Sequence, residues 1–115
     1  MLEINEMNID RLLSTMVKSV LVLFYARWCP FCLAFKSNFT EAADSGICVF
    51  ATADLSDLNN PLWEKFNIKV VPTLIFFQNV RPVFRKDGTP GRGLQIDDLV
   101  FIIKEIETYQ STSVG

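Results

Sequence analysis

The apolar pattern of this 115-residue chain predicts an α/β domain in which a central mixed β-sheet carries helices on both faces. Three observations lead there. Short, continuous apolar runs rich in β-branched and aromatic residues (Val20–Tyr25, Ile47–Ala53 and Thr73–Gln78) suit strands buried on both faces. Amphipathic helical stretches alternate with them, which makes the early strands parallel. The last apolar run is followed within a few residues by a second strand-like segment, which adds an antiparallel hairpin.

Taken in order, Met1–Ile4 is a short edge-strand candidate. From Met7 to Lys18 the apolar residues Ile9, Leu12, Leu13, Met16 and Val17 follow the i, i+3, i+4, i+7, i+8 rhythm of a helix, with Asn5 or Asn8 as its cap. Val20–Tyr25 is the first inner strand. Pro30 opens a second helix running to about Asp44; proline fits the first helical turn, where its missing N–H is not needed. Gly46 ends it. Ile47–Ala53 is the next inner strand, with Cys48 inside it. Asn60 followed by Pro61 marks the start of a short helix through Phe66. Thr73–Gln78 and Pro82–Arg85 form the hairpin, turning near Asn79-Val80, and Pro82 assigns its strand to an edge because proline cannot donate to a ladder. Asp87–Gly93, with three glycines and a proline, is a loop. Ile96–Tyr109 is the last helix, with Ile96, Leu99, Val100, Ile103 and Ile106 on its apolar face, and residues 111–115 are a frayed tail of a single domain spanning 1–115.

Half of the residues are hydrophobic, enough for a core without disulfide staples, so the cysteines are free for chemistry. The net charge is −2 and the charges are interspersed, which argues against nucleic acid or an anionic membrane as partner. Acidic residues within Met1–Glu6 are unlike the basic start of a signal peptide, and the cysteine number is odd, so a soluble, cytoplasmic protein is expected.

The chemistry concentrates at Arg27-Trp28-Cys29-Pro30-Phe31-Cys32. A CxxC between a buried strand and a helix is a redox signal. The thiolate is the attacking species, and Cys29 at a helix N-terminus meets unpaired N–H groups and the positive end of the dipole, both of which favour a sulfur anion. Arg27 adds a cation if its side chain turns inward. Cys32, one turn further in, is placed to attack a mixed disulfide formed at Cys29. A structural zinc site wants four ligands, and the chain has no histidine and one further cysteine, so no metal is expected. Cys48 reads as a small buried hydrophobe, with a regulatory or dimer-forming thiol as the alternative.

Phe24-Tyr25-Ala26-Arg27-Trp28-Cys29-Pro30-Phe31-Cys32 resembles the active-site segment of thioredoxins. Val71-Pro72-Thr73, some 40 residues later, resembles that family's cis-proline loop, and Gly88, sixteen residues after Pro72, falls where the family has a glycine beside the substrate groove. The element order matches across nearly the whole chain. The resemblance implies a thioredoxin fold, with Cys29 the exposed nucleophile and Cys32 the resolving thiol. It implies a cis peptide before Pro72, whose neighbouring backbone groups pair with an extended substrate segment. Trp28 would cover one side of the disulfide, and Trp28, Pro30, Phe31, Val71, Pro72, Thr73 and Gly88 would meet the substrate. The activity implied is thiol–disulfide exchange on protein disulfides. It needs no cofactor beyond the Cys29–Cys32 couple, with electrons from a thioredoxin-reductase-like or glutathione-like donor.

The chain also departs from that pattern. Thioredoxins usually bury an aspartate where Leu23 stands, and the lysine that pairs with it is replaced, with Phe50 near its place. The family's Gly-Pro between the cysteines is Pro30-Phe31 here, which is closer to glutaredoxins and, being uncharged, implies a reduction potential between the family's extremes. Ser37 stands at about the position of a family proline, and the segments from Asp54 to Pro72 and from Gly88 to Gly93 are longer. Glutaredoxin-like or isomerase/oxidase-like activity, and a non-catalytic redox-switch or binding module, remain alternatives.

Overall fold

The computed structural model describes residues 1–112, and among them five strands form one sheet in the order β1-β3-β2-β4-β5. The strands are β1 (Leu2–Ile4), β2 (Ser19–Tyr25), β3 (Val49–Asp54), β4 (Thr73–Gln78) and β5 (Arg81–Asp87). β1, β3 and β2 run parallel, while β4 runs antiparallel to both β2 and β5.

The period-2 alternation of β2 divides the core. Leu21, Leu23 and Tyr25 face one layer with Phe35, Phe39, Leu74, Phe76, Leu99, Ile102 and Ile106. Val20, Val22 and Phe24 face the other with Ile9, Leu12, Leu13, Leu62, Ile68, Ile75 and Phe77. The first layer is covered by α2 (Pro30–Ala42) and α4 (Ile96–Thr112), the second by α1 (Ile9–Arg11) and α3 (Leu62–Lys65).

Four local expectations are corrected. The helix expected from Met7 to Lys18 is α-helical only over α1 and then widens into a π-turn over Leu12–Met16. The Thr15 hydroxyl donates to the Arg11 carbonyl at 2.6 Å, the acceptor an α-helix would offer to the Thr15 N–H, and the Val17 N–H reaches back five residues to the Leu12 carbonyl at 2.9 Å. The register change leaves Met16, expected on the apolar face, exposed. Second, β3 begins at Val49, so Cys48 lies just before it and is only half-buried. Third, Ile96 and Val100 are exposed in α4, and the buried stripe is Leu99, Ile102 and Ile106. Finally, α4 continues through Ser111 and Thr112, which the expected tail included; residues 113–115 lie outside the described residues.

The cap and turn expectations agree with the structure. Asn5 Oδ1 accepts from the Met7 and Asn8 N–H groups at 2.9 Å. Asn60 Oδ1 accepts from Leu62 N–H at 2.9 Å to start α3. Gly46 is left-handed, with φ of 75°, after the turn that follows α2. Between β4 and β5 both Asn79 and Val80 have positive φ, 50° and 75°, the geometry of the hairpin turn that matches strand twist. Pro82 sits on the edge strand β5, opposite Phe77 at a register irregularity.

Candidate active site

β2 ends at Tyr25 and α2 begins at Pro30, so the intervening corner carries Ala26, Arg27, Trp28 and Cys29 out of the sheet. Cys29 caps α2: its backbone is extended, its N–H donates to the Ala26 carbonyl at 3.2 Å, and its Sγ accepts from the Cys32 N–H at 3.2 Å. The Cys29 sulfur thus stands at the N-terminal end of α2 with a backbone amide directed at it. Both thiols are free. Cys29 was expected to be exposed; it is 5% exposed against 0% for Cys32, because the chain folds back over it and the Val71 carbonyl lies 3.6 Å from its Sγ. The asymmetry between the two thiols keeps its expected direction but is small.

Cys32 is held protonated. Burial pushes its thiol up to about 12, a hydrogen bond with the Cys29 side chain adds to the shift, and an Ala26 backbone contact opposes it. Leu23 lies in the same apolar cluster, and the buried polar side chains among the described residues are Thr52 and Thr73, neither of them a carboxylate. On β3, Thr52 is in register with Leu23, and Phe50 lies two residues earlier in the same cluster as Leu23. Phe50 packs its ring 5.0 Å from that of Phe39.

The raised thiol has a consequence for stability. The folded state keeps the Cys32 proton up to about pH 12, whereas a thiol released by unfolding loses it near its ordinary value of 9.0. Between these values the folded state binds more protons, so stability falls as pH rises. Urea unfolding of the reduced protein should show a loss approaching ~1 kcal/mol per pH unit above pH 9. Cys48, raised to about 11 by burial, adds to it over the lower part of that window. A Cys32→Ser, Cys48→Ser protein should lose this slope.

Facing the dithiol is the segment before β4. The Val71–Pro72 peptide is cis, and Pro72 is buried beside half-buried Val71. Thr73 is fully buried and its hydroxyl donates to the Val70 carbonyl at 2.8 Å, so it braces the loop instead of reaching the surface as expected of a substrate contact. Gly88 lies against Pro72: its N–H donates to the Pro72 carbonyl at 2.9 Å, and a Cβ there would stand 2.6 Å from the same oxygen. Trp28 and Phe31 are 56% and 43% exposed, and Pro30 is exposed beside them.

Arg27 does not turn toward the thiols. Its Nε pairs with Asp54 Oδ2 at 3.1 Å on the surface. The residue that organises this corner is one the sequence reading missed. Ser56 Oγ accepts from the Arg27 N–H at 2.8 Å and donates to Asp54 Oδ1, while the Ser56 carbonyl accepts from Trp28 Nε1 at 2.9 Å. The available signal was the Asp54-x-Ser56 spacing at a strand end, an Asx turn closed by Ser56 N–H on Asp54 Oδ1 at 2.9 Å. Gly93 was also missed as a site residue. It has φ of 73°, and a Cβ on it would lie 2.6 Å from Phe31 Cβ. Among the described residues no group of three or more histidine, cysteine or acidic side chains is placed to hold a metal, and no helix is long and apolar enough to cross a membrane.

Two thiols one helical turn apart, one capping the helix and the other sealed beneath it, can pass between dithiol and disulfide without rearranging the sheet, and the protein is a thiol–disulfide oxidoreductase. A family model described as Thioredoxin matches residues 1–102, and the chain belongs to the thioredoxin family. It is 36% identical over 85 residues to a thioredoxin of Mycoplasmoides gallisepticum, covering 73% of this chain and 83% of that one. It is 31% identical over 90 residues to the bifunctional thioredoxin reductase/thioredoxin of Mycobacterium leprae, covering 77% of this chain but spanning about 20% of that longer protein. Its fold superposes on Chlamydomonas reinhardtii thioredoxin f2 with a TM-score of 0.78 at 21% identity, over 91% of this chain and 94% of the other.

Proposed function

We propose that residues 1–115 act as one domain that reduces disulfides in protein substrates, with Cys29 the nucleophile and Cys32 the resolving thiol. The observation that carries this reading is the Cys32 N–H aimed at Cys29 Sγ, 3.2 Å away at the head of α2. Cys29 thiolate attacks one sulfur of the substrate disulfide. That S–S bond breaks, a Cys29–substrate mixed disulfide forms, and the other substrate sulfur leaves as thiolate. Cys32 then attacks Cys29 Sγ, giving its proton to the departed thiolate, and the second substrate sulfur leaves. Two electrons pass to the substrate and the protein is left with a Cys29–Cys32 disulfide. The proton acceptor matters because the buried polar side chains among the described residues include no carboxylate and the Cys32 thiol stands near 12.

Trp28, Pro30, Phe31, Val71, Pro72 and Gly88 form the walls of the substrate groove, and the backbone beside the cis peptide pairs with an extended segment. The oxidised protein is returned to dithiol by a thioredoxin-reductase-like or glutathione-like donor, and the Mycobacterium leprae relative, a reductase and thioredoxin in one chain, supports the first of these. A reducing compartment, the cytoplasm, suits this direction of electron flow. In an insulin assay with dithiothreitol, the protein should hasten precipitation of the reduced B chain well beyond dithiothreitol alone; no acceleration would overturn the reading. A reduction potential near −120 mV would instead identify an oxidant, against about −270 mV for a reductase.

A further inference from the structure

The loop joining β5 to α4 is anchored at both ends on the redox site. At one foot, Gly88 is buried against Pro72, with its N–H on the Pro72 carbonyl and no room for a side chain. At the other, Gly93 is buried against Phe31, again with no room for a side chain. One foot therefore rests on the cis-proline segment and the other on Phe31, one of the two residues between the cysteines. Between them the loop closes on itself. Thr89 N–H donates to the Gly93 carbonyl at 3.0 Å, and the Gly93 and Arg92 N–H groups donate to the Thr89 carbonyl at 2.7 and 2.9 Å. Gly91, with φ of 77°, makes the turn. Residues 89–92 are thus an exposed crest, held by its own hydrogen bonds and standing between the cis-proline segment and Phe31.

Arg92 is the one charged side chain on that crest. Its Nη2 donates to Gln95 Oε1 at 2.7 Å, a neutral partner that orients the guanidinium without cancelling its charge. The nearest acids in sequence are Asp87 and Asp97, five residues away on either side; Asp87 is paired with Arg85 at 2.6 Å, and Asp98, one residue further on, accepts from the Gln95 N–H at 2.8 Å. Arg27, beside Trp28, is paired to Asp54. We propose that this crest is a specificity element, and that Arg92 favours protein disulfides flanked by an acidic side chain. The inference rests on the oxidoreductase reading and adds a substrate class to it. A substrate segment lying along the cis-proline loop toward Cys29 passes the crest, and an acidic side chain there gains a charge-assisted contact.

The test uses two matched sets of disulfide-bonded peptides carrying Glu or Lys at each position within two residues of the cysteine under attack. Hydroxyethyl disulfide is an uncharged reference. The ratio of kcat/KM for Glu over Lys peptides is taken within each protein, so a general loss of activity cancels. The wild type should prefer Glu at one or more positions. Arg92→Ala should abolish that preference and Arg92→Glu should invert it, a change in the ratio of about fivefold or more. The preference should shrink in added salt. Equal rates with Glu and Lys peptides, or a preference that both Arg92 variants retain, would overturn the proposal. Failure of the wild type to reduce hydroxyethyl disulfide would overturn the oxidoreductase reading itself, which distinguishes the two.

Discussion

Replacing Cys29 with serine should lower turnover in the insulin assay by at least about a thousandfold, and replacing Cys32 should turn the protein into a trap. The two outcomes differ because the two sulfurs stand in different surroundings. Cys29 caps α2 and receives an N–H, so removing it removes the attacking sulfur. Cys32 is wholly buried and protonated, so it cannot substitute by meeting a substrate directly. In Cys32→Ser the first exchange still occurs, but no internal thiol breaks the mixed disulfide. Partners should then accumulate on Cys29 as adducts that run high on non-reducing gels and collapse with dithiothreitol. Adducts forming instead through Cys32 in the Cys29→Ser protein would reverse the assignment.

Placing an aspartate at Leu23 should cost about 3–5 kcal/mol of stability at neutral pH. Leu23 is completely buried, paired in register with Thr52 on one side and Leu74 on the other, within the cluster that holds both cysteines. Losing the side chain leaves a void, and the carboxyl meets no cation there. Burial raises such a carboxyl in the folded state above the ~3.9 of an unfolded aspartate. Above that value the unfolded chain gives up the proton first, so the penalty grows with pH. The difference in urea midpoint between Leu23→Asp and wild type should therefore be larger at pH 7 than at pH 5. Leu23→Asn, of the same shape, should show no such trend. Equal behaviour of the two variants at both pH values would mean that water reaches the carboxylate and that the surroundings of Cys32 are not dry.

What could be read from the chain follows from how local each signal is. Val20–Tyr25 and Thr73–Gln78 declare themselves because a strand buried on both faces needs nothing but apolar residues, and the structure places strands there. Pro30 marks the head of α2 because one covalent ring enforces it, and the Cys29–Cys32 spacing carries its chemistry within four residues. The same locality explains the misses. Ser56 acts on Arg27 and Trp28 from nearly thirty residues away, through its position at the end of a neighbouring strand. Gly93 matters only because Phe31 is brought beneath it. Arg27 had two credible destinations, and a carboxylate on β3 decided between them. Val100 and Ile102 are equally apolar; the angle at which α4 lies on the sheet determines which one is buried. The π-turn after α1 arises from competition between a threonine hydroxyl and its own backbone, which hydrophobic periodicity does not register.

The two borders of the sheet bear on how this protein survives its own task. An exposed strand margin is a template on which further strands, including those of another copy, can pair. Here one margin, β1, is three residues long. The other, β5, carries Pro82, a register irregularity, and Arg81, Arg85, Lys86 and Asp87. Neither border invites a flat, apolar strand to join it. Replacing those charges with valine or threonine would open a second, indiscriminate docking line, and the cost would be paid in solubility while the dithiol remained intact.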